Sequence, residues 1–366
     1  MWSRRQEHRP EKVPAGFTST RWLDRCLGFI PIKRALLALA LHALAMGQGV
    51  STPVNLAKQQ WNGNAICYSG YRVGQHPDKQ LFPSETQVLE DLRILEKHWR
   101  LIRVYGSDRH SRDVLEVIQR NGLRLHVMLG VWLSGKPEKQ AENKRQLAYG
   151  IQLAKKYPGV VAAMNVGNEA LVSWSDHRMT EEAMLECVRL VKASVKCPVT
   201  VADDFLYWIQ PGNKLVKYLD FITLHSYPLW GNQDIDQGLP STVEKFALIR
   251  RAYPEKTIVF GEVGWASFTE SNSRHVPRAG DEIKQKRYFE EINAWAKEHG
   301  VTTFLFEAFD EPWKGDGTEG HWGVFSVERK AKRVMWDLYP DLISDRPTSP
   351  SYELDTGSRT KLSGNQ

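Results

Sequence analysis

Cysteine is scarce in this sequence, and it never occurs in a paired motif. There are four in 366 residues, at positions 26, 67, 187 and 197, with no C-x-x-C spacing and no H-E-x-x-H elsewhere. A structural zinc site and a dithiol redox centre are therefore not expected, and neither a metal nor a cofactor is called for. Behind Cys26 an odd number remains, which leaves room for at most one disulfide in the body, with Cys187 and Cys197 as the candidate pair.

Long apolar runs are missing too. The longest candidate, "ALLALALHALA" after Lys33-Arg34, spans about a dozen residues, short of the roughly 20 that cross a bilayer as a helix. With basic residues before it and small residues at Ala43 and Ala45, it reads as a signal peptide with a long n-region or as an uncleaved anchor. The chain is thus expected to be exported, and in the uncleaved form its leader would touch a membrane. A broad positive surface is also absent. Of the formal +6, Met1 to Ala45 hold eight Lys or Arg against three Asp or Glu, giving +5 and leaving +1 for the rest. Nucleic acid is not expected as a partner, and no stable protein partner is implied.

What the chain does have is alternation. From Ala65 onward, eight short β-rich apolar runs alternate with helical patterns: "AICYS", "RLIRVYG", "RLHVMLG", "VVAAMNVG", "PVTVAD", "DFITLHSY", "KTIVFGE" and "TTFLFEAF". Helix starts are expected at Ser84, with Gln87 completing a capping box, at Ser111 with a stop at Gly122, and at Thr180. A last helix is expected over "VERKAKRVMWDLYP". Eight such units in about 280 residues indicate one α/β domain, a (β/α)8 TIM barrel. The alternative, a doubly wound open sheet, lacks its glycine-rich turn after the first run. The expected organisation is a leader and linker over 1–60, a barrel over 61–341 and a disordered tail over 342–366, where large apolar residues nearly vanish.

Barrels of this kind carry their chemistry at the carboxyl ends of the strands, so the run endings are the candidate functional positions. Most are polar: Arg103 and Tyr105, Asn168-Glu169, Asp203-Asp204, His225 and Tyr227, Glu262, then Glu307, Asp310 and Glu311. Glutamates ending the fourth and seventh runs suit retaining glycoside hydrolysis, one as nucleophile and the other as acid/base. Trp174, Trp208, Trp230, Trp265, Trp313 and Trp322 all follow strand ends, where indoles can pack on the C–H faces of sugars; about half are expected in the core instead.

At these residues the sequence resembles glycoside hydrolase family 17, the β-1,3-glucanases and β-1,3-glucanosyltransferases, from about Asn64 to Tyr339. "VGNEA" and "GEVGW" match the two catalytic motifs, which would make Glu169 the acid/base and Glu262 the nucleophile. "FEAFDEPWKG" with "EGHWGVF" is similar to the eighth strand and its loop, implying charge-balancing roles for Glu311 and Lys314. "IRVYGSD" and "LHSYPLW" are similar to the second and sixth strands. Arg103, Tyr105, Asn168, Asp203, Tyr227, Trp230 and Trp265 are then expected to contact the substrate, a β-glucan. Val263 in "GEVGW" and the "SYPLW" stretch depart from the plant pattern and look more like the bacterial and fungal branches. Trp174, Trp208 and Trp230 are the candidates for a platform that holds an acceptor sugar. Hydrolysis and transfer share all these residues, and a non-catalytic sugar-binding barrel or a relative acting on another β-glycan remain as alternatives.

Overall fold

The computed structural model describes residues 53–270 and 279–344. The apolar leader and most of the expected tail lie outside the described residues. Eight strands form the body: β1 (Ala65–Cys67), β2 (Leu101–Val104), β3 (His126–Val131), β4 (Val161–Asn168), β5 (Val199–Asp204), β6 (Ile222–Ser226), β7 (Ile258–Val263) and β8 (Thr303–Leu305). Each pairs in parallel with the next, and β1 pairs with β8 to close the barrel. The strands are buried along almost their whole length, as parallel strands covered on both faces must be, and so they read as apolar runs without alternation.

Helices α1 (Glu85–Leu95), α2 (Arg109–Asn121), α3 (Gln140–Lys156), α4 (Glu181–Ser194), α5 (Phe205–Trp208), α6 (Gly238–Ala252) and α7 (Glu282–Glu298) occupy the connections. The Ser84/Gln87 capping box forms, and Thr180 caps α4. Helix α2 begins earlier than Ser111. The Asp108 carboxylate accepts from the Ser111 amide and moves the cap three residues upstream, while Gly122 closes the helix at φ 60°.

Three expectations are corrected. "VERKAKRVMWDLYP" forms one 3-10 turn, Arg333–Met335, and ends where a second, Pro340–Leu342, begins. The fully buried Lys332 bonds Asp310 and Ser267, each at 2.7 Å, and this tertiary hold overrides helical periodicity. The barrel begins before residue 61: Leu56 is fully buried with Ala65, Cys67, Leu101, Met128, Phe221 and Phe304, stopping the interior from below. Cys187 and Cys197 are free thiols rather than a disulfide, as is Cys67.

Candidate active site

Irregular pairing at the strand ends aims the polar residues inward. The ladder between β4 and β5 shifts between Asn165 and Asn168, that between β6 and β7 shifts between Leu224 and His225, and that between β7 and β8 shifts between Phe260 and Val263. Such shifts insert a residue on one side and re-aim the side chains beyond it. On β4 the chain then passes Gly167 at φ 82° and Glu169 at φ 46°. A left-handed glutamate is uncommon, and such conformations cluster at functional sites where the surroundings hold them. Gly261 shows why a glycine precedes Glu262. A Cβ there would come within 2.2 Å of the Thr223 methyl and 3.1 Å of His225 Nε2.

Glu262 is enclosed, with 4 % of its surface exposed. Its Oε1 accepts from the Arg103 guanidinium at 2.5 Å, and its Oε2 accepts from the Tyr227 hydroxyl at 2.5 Å. Burial pushes this carboxyl up, but His225, Arg103 and the two hydrogen bonds outweigh it and hold the group below the ordinary glutamate value. Glu262 is thereby kept ionised in a dry place, the state a nucleophilic carboxylate needs.

Glu169 is more open, its side chain 20 % exposed, with Oε1 at 2.9 Å from His225 Nδ1. The other ring nitrogen, Nε2, lies 3.2 Å from the Arg103 guanidinium, and Nδ1 also lies 3.5 Å from Glu262 Oε2. One imidazole therefore bridges the two carboxyl groups, one oxygen of each lying within 4.8 Å of the other. In the sequence His225 stands out only as a strand ending. It sits two residues before Tyr227, and period-2 alternation puts both on one face.

The remaining expected contacts divide. Arg103 is fully buried and spans Glu262, the Gly261 carbonyl and the Asn168 side-chain oxygen, so it holds the machinery instead of meeting a sugar. Its bond fixes the Asn168 amide with the oxygen inward, leaving the NH2 to donate elsewhere. Tyr105 is half-buried, its ring centroid 4.8 Å from the Arg103 guanidinium carbon. Asp203 is a correction: it is fully buried, and its two oxygens accept from the backbone amides of Leu171 and Asp204. It ties down the loop after Glu169 and has no free surface for a substrate. Lys314 lies between Glu311 at 2.5 Å and Glu307 at 3.3 Å, both buried. Burial and the neighbouring Glu311 push the Glu307 carboxyl well up, against the pull of Lys314.

The tryptophans split as well. Trp265 and Trp208 are buried, donating to the Ala279 carbonyl and to the Asp203 and Thr223 carbonyls. Neither can be a sugar platform, because both faces of each ring are already packed. Trp230 and Trp174 are exposed. Trp230 packs beside the buried Trp322, ring centroids 5.6 Å apart, and Trp322 packs in turn on Tyr227 at 5.1 Å. The indole N–H groups of Trp313 and Trp322 and Glu311 Oε1 are buried without hydrogen-bond partners. Trp132, exposed directly after β3, follows a strand end as the six named tryptophans do.

Glu169, His225 and Glu262 also bring ligand atoms close enough for a cation. The donor chemistry does not fit one. Glu262 is already engaged by Arg103 and Tyr227, and the cationic Arg103 guanidinium lies 3.2 Å from the His225 ring.

Comparison with known proteins agrees with this architecture. A family model described as "BtgE/BtgC glycoside hydrolase domain" matches residues 65–323. Among curated relatives, a probable glucan endo-1,3-beta-glucosidase, btgC, of Aspergillus clavatus is 27 % identical over 277 residues, covering 68 % of this chain and 39 % of that protein. A glucan 1,3-beta-glucosidase of Schizosaccharomyces pombe is 25 % identical over 316 residues, covering 81 % and 94 %. The chain spans about two fifths of the length of the first of these relatives. An endo-laminarinase structure from Formosa superposes with a TM-score of 0.71 at 25 % identity, covering 83 % of this chain and 93 % of that one. A Rhizomucor miehei beta-1,3-glucanosyltransferase mutant bound to laminaritriose shares the fold, with a TM-score of 0.61 at 20 % identity over 78 % and 98 %.

Proposed function

The chain belongs to the BtgE/BtgC glycoside hydrolase family, and we propose that it is a retaining glycosidase acting on β-1,3-glucan. The observation that carries this reading is the asymmetry of two carboxyl groups within 4.8 Å of each other, one buried and ionised, one open and bridged to it by His225. Retaining enzymes need carboxyl groups about 5 to 5.5 Å apart. Glu262 attacks the anomeric carbon while Glu169 gives its proton to the departing glycosidic oxygen, and a glycosyl ester forms on Glu262. Glu169, now a carboxylate, takes a proton from the incoming hydroxyl as that oxygen attacks the same carbon and frees Glu262. Asn168 offers an amide N–H to a sugar hydroxyl, and Tyr227, Arg103 and His225 keep the nucleophile in place.

The acceptor is water for hydrolysis or a sugar hydroxyl for transfer. The linkage reading rests on the named activities of the relatives and on "FEAFDEPWKG". Exposed Trp230 and Trp174 remain the acceptor candidates, and the basic leader followed by small residues supports export. The test is to incubate the full chain with a defined β-1,3-gluco-oligosaccharide and follow product masses. Shorter products alone indicate hydrolysis, and shorter plus longer products indicate transfer. No reaction on this substrate, with turnover of a β-1,4-linked one, would overturn the linkage.

A further inference from the structure

The loops after β3 and β4 are fastened to each other beside Glu169. The Gly135 amide donates to the His177 carbonyl at 2.9 Å, Lys136 pairs with Asp176 at 2.9 Å, and the exposed Trp132 ring lies 4.9 Å from the His177 ring, tilted by 31°. His177 is the hub of this clasp. Its side chain is 16 % exposed, its Nε2 lies 2.8 Å from the Asn168 carbonyl oxygen, and its Nδ1 lies 2.9 Å from Asp176 and 3.3 Å from the Ser175 hydroxyl. A carbonyl only accepts, so Nε2 carries a proton and donates it.

The carbonyl it holds belongs to the peptide joining Asn168 to Glu169, the point at which the backbone turns to φ 46°. A left-handed non-glycine residue persists only where its surroundings over-determine it. The Glu169 amide bonds the Ala202 carbonyl at 2.9 Å, and the His177 bond fixes the same peptide from the other side. Asp176, held ionised by hydrogen bonds from His177 and Lys136 that bring it down to about 2, orients the ring.

We infer that His177 is a positioning residue for the acid/base: through the Asn168 carbonyl it sets the direction in which Glu169 delivers its proton, with Asp176, Lys136 and Trp132 holding the imidazole in register. The inference rests on Glu169 being the acid/base.

A positioning role for an acid differs from a general structural role in its dependence on the leaving group. Cleavage of a glucan needs the departing oxygen protonated, whereas a dinitrophenolate departs without a proton. The experiment compares kcat/KM of the parent and His177→Ala on a β-1,3-gluco-oligosaccharide and on the dinitrophenyl glycoside of the same glycone, with melting temperatures in parallel. The expected result is a loss of about 10- to 100-fold on the oligosaccharide, the scale of a misplaced catalytic group, and none on the dinitrophenyl glycoside. His177→Gln, whose amide N–H can reach the Asn168 carbonyl, is expected to recover part of the loss, and Asp176→Asn to show a smaller loss of the same kind. Equal losses on both substrates, or no loss on the oligosaccharide, would overturn the role of His177. A parent that turns over neither substrate would instead defeat the glycosidase reading beneath it.

Discussion

The β7 side and the β4 side of the barrel mouth carry the same functional group in opposite settings. Glu262 is nearly sealed and gripped by Arg103 and Tyr227, with burial overcome by positive neighbours. Glu169 stands on a left-handed turn, a fifth exposed, with His225 as its hydrogen-bond partner. Role is thus assigned by surroundings and not by residue type. A carboxylate that must attack is kept charged by fixed donors, while one that must exchange a proton with a leaving group and an acceptor keeps access to the cleft.

The largest effect is expected at the sealed side. Glu262→Gln removes the proposed nucleophile and is expected to lower turnover by roughly four orders of magnitude or more, the scale of nucleophile removal in other enzymes, with the fold intact by circular dichroism. Glu169→Gln is expected to cost about 10² to 10⁴ on glucan, as for loss of a general acid. It should leave kcat/KM on a dinitrophenyl glycoside little changed, because the first step there needs no proton. Azide, which attacks without a base, is expected to raise kcat on that substrate in Glu169→Gln and to do nothing for Glu262→Gln.

Tyr227→Phe weakens the grip on Glu262 without touching Glu169. It deletes one hydrogen bond to a charged group, worth about 1.5 to 3 kcal/mol, so a loss of about 10- to 100-fold is expected. The same change moves the acid limb of kcat/KM upward, since Glu262 loses one of the contacts that hold it low. Stability shifts in the same sense. A glutamate lowered in the folded state contributes stability that is present above its ordinary value of about 4.3 and is lost as pH falls through the lowered one. Chemical denaturation across that window should show a shallower decline in Tyr227→Phe than in the parent. The smallest effect is expected at Glu307. Burial and Glu311 push its carboxyl well up, and Glu307→Gln supplies a neutral group of the same shape that keeps an oxygen for Lys314, so assays should find activity and melting temperature close to the parent.

The fold was legible because parallel strands covered on both faces must be apolar throughout, and eight such runs stand out against amphipathic helices. Glu169 and Glu262 were legible because a charged residue ending an apolar run at the barrel mouth contributes little to packing and faces the site where substrates bind. What failed did so for definable reasons. Trp208, Trp265 and Asp203 occupy positions in the chain that are right for substrate contact, but exposure is a tertiary property, and all three point into packed loops. Arg103 was right in place and different in role, because its partners come from β4, β6 and β7, which sequence distance conceals. The stretch "VERKAKRVMWDLYP" has helical periodicity but is held by the buried Lys332–Asp310 pair. His177 lies in a loop without periodicity, and nothing local marks it, whereas Trp132 follows the third run as the named tryptophans follow theirs.

Covalent glycosylation of Glu262 is the step on which the retaining mechanism stands. The most direct measurement is to treat the full chain with the dinitrophenyl 2-deoxy-2-fluoro derivative of a β-1,3-linked gluco-oligosaccharide, which slows release of the glycosyl-enzyme, and to read the intact mass and the labelled peptide. The expected result is one added fluoroglycosyl unit, borne by the peptide that contains Glu262. Label on any other residue, or an unlabelled enzyme whose glucan products carry the inverted anomeric configuration, would contradict the mechanism.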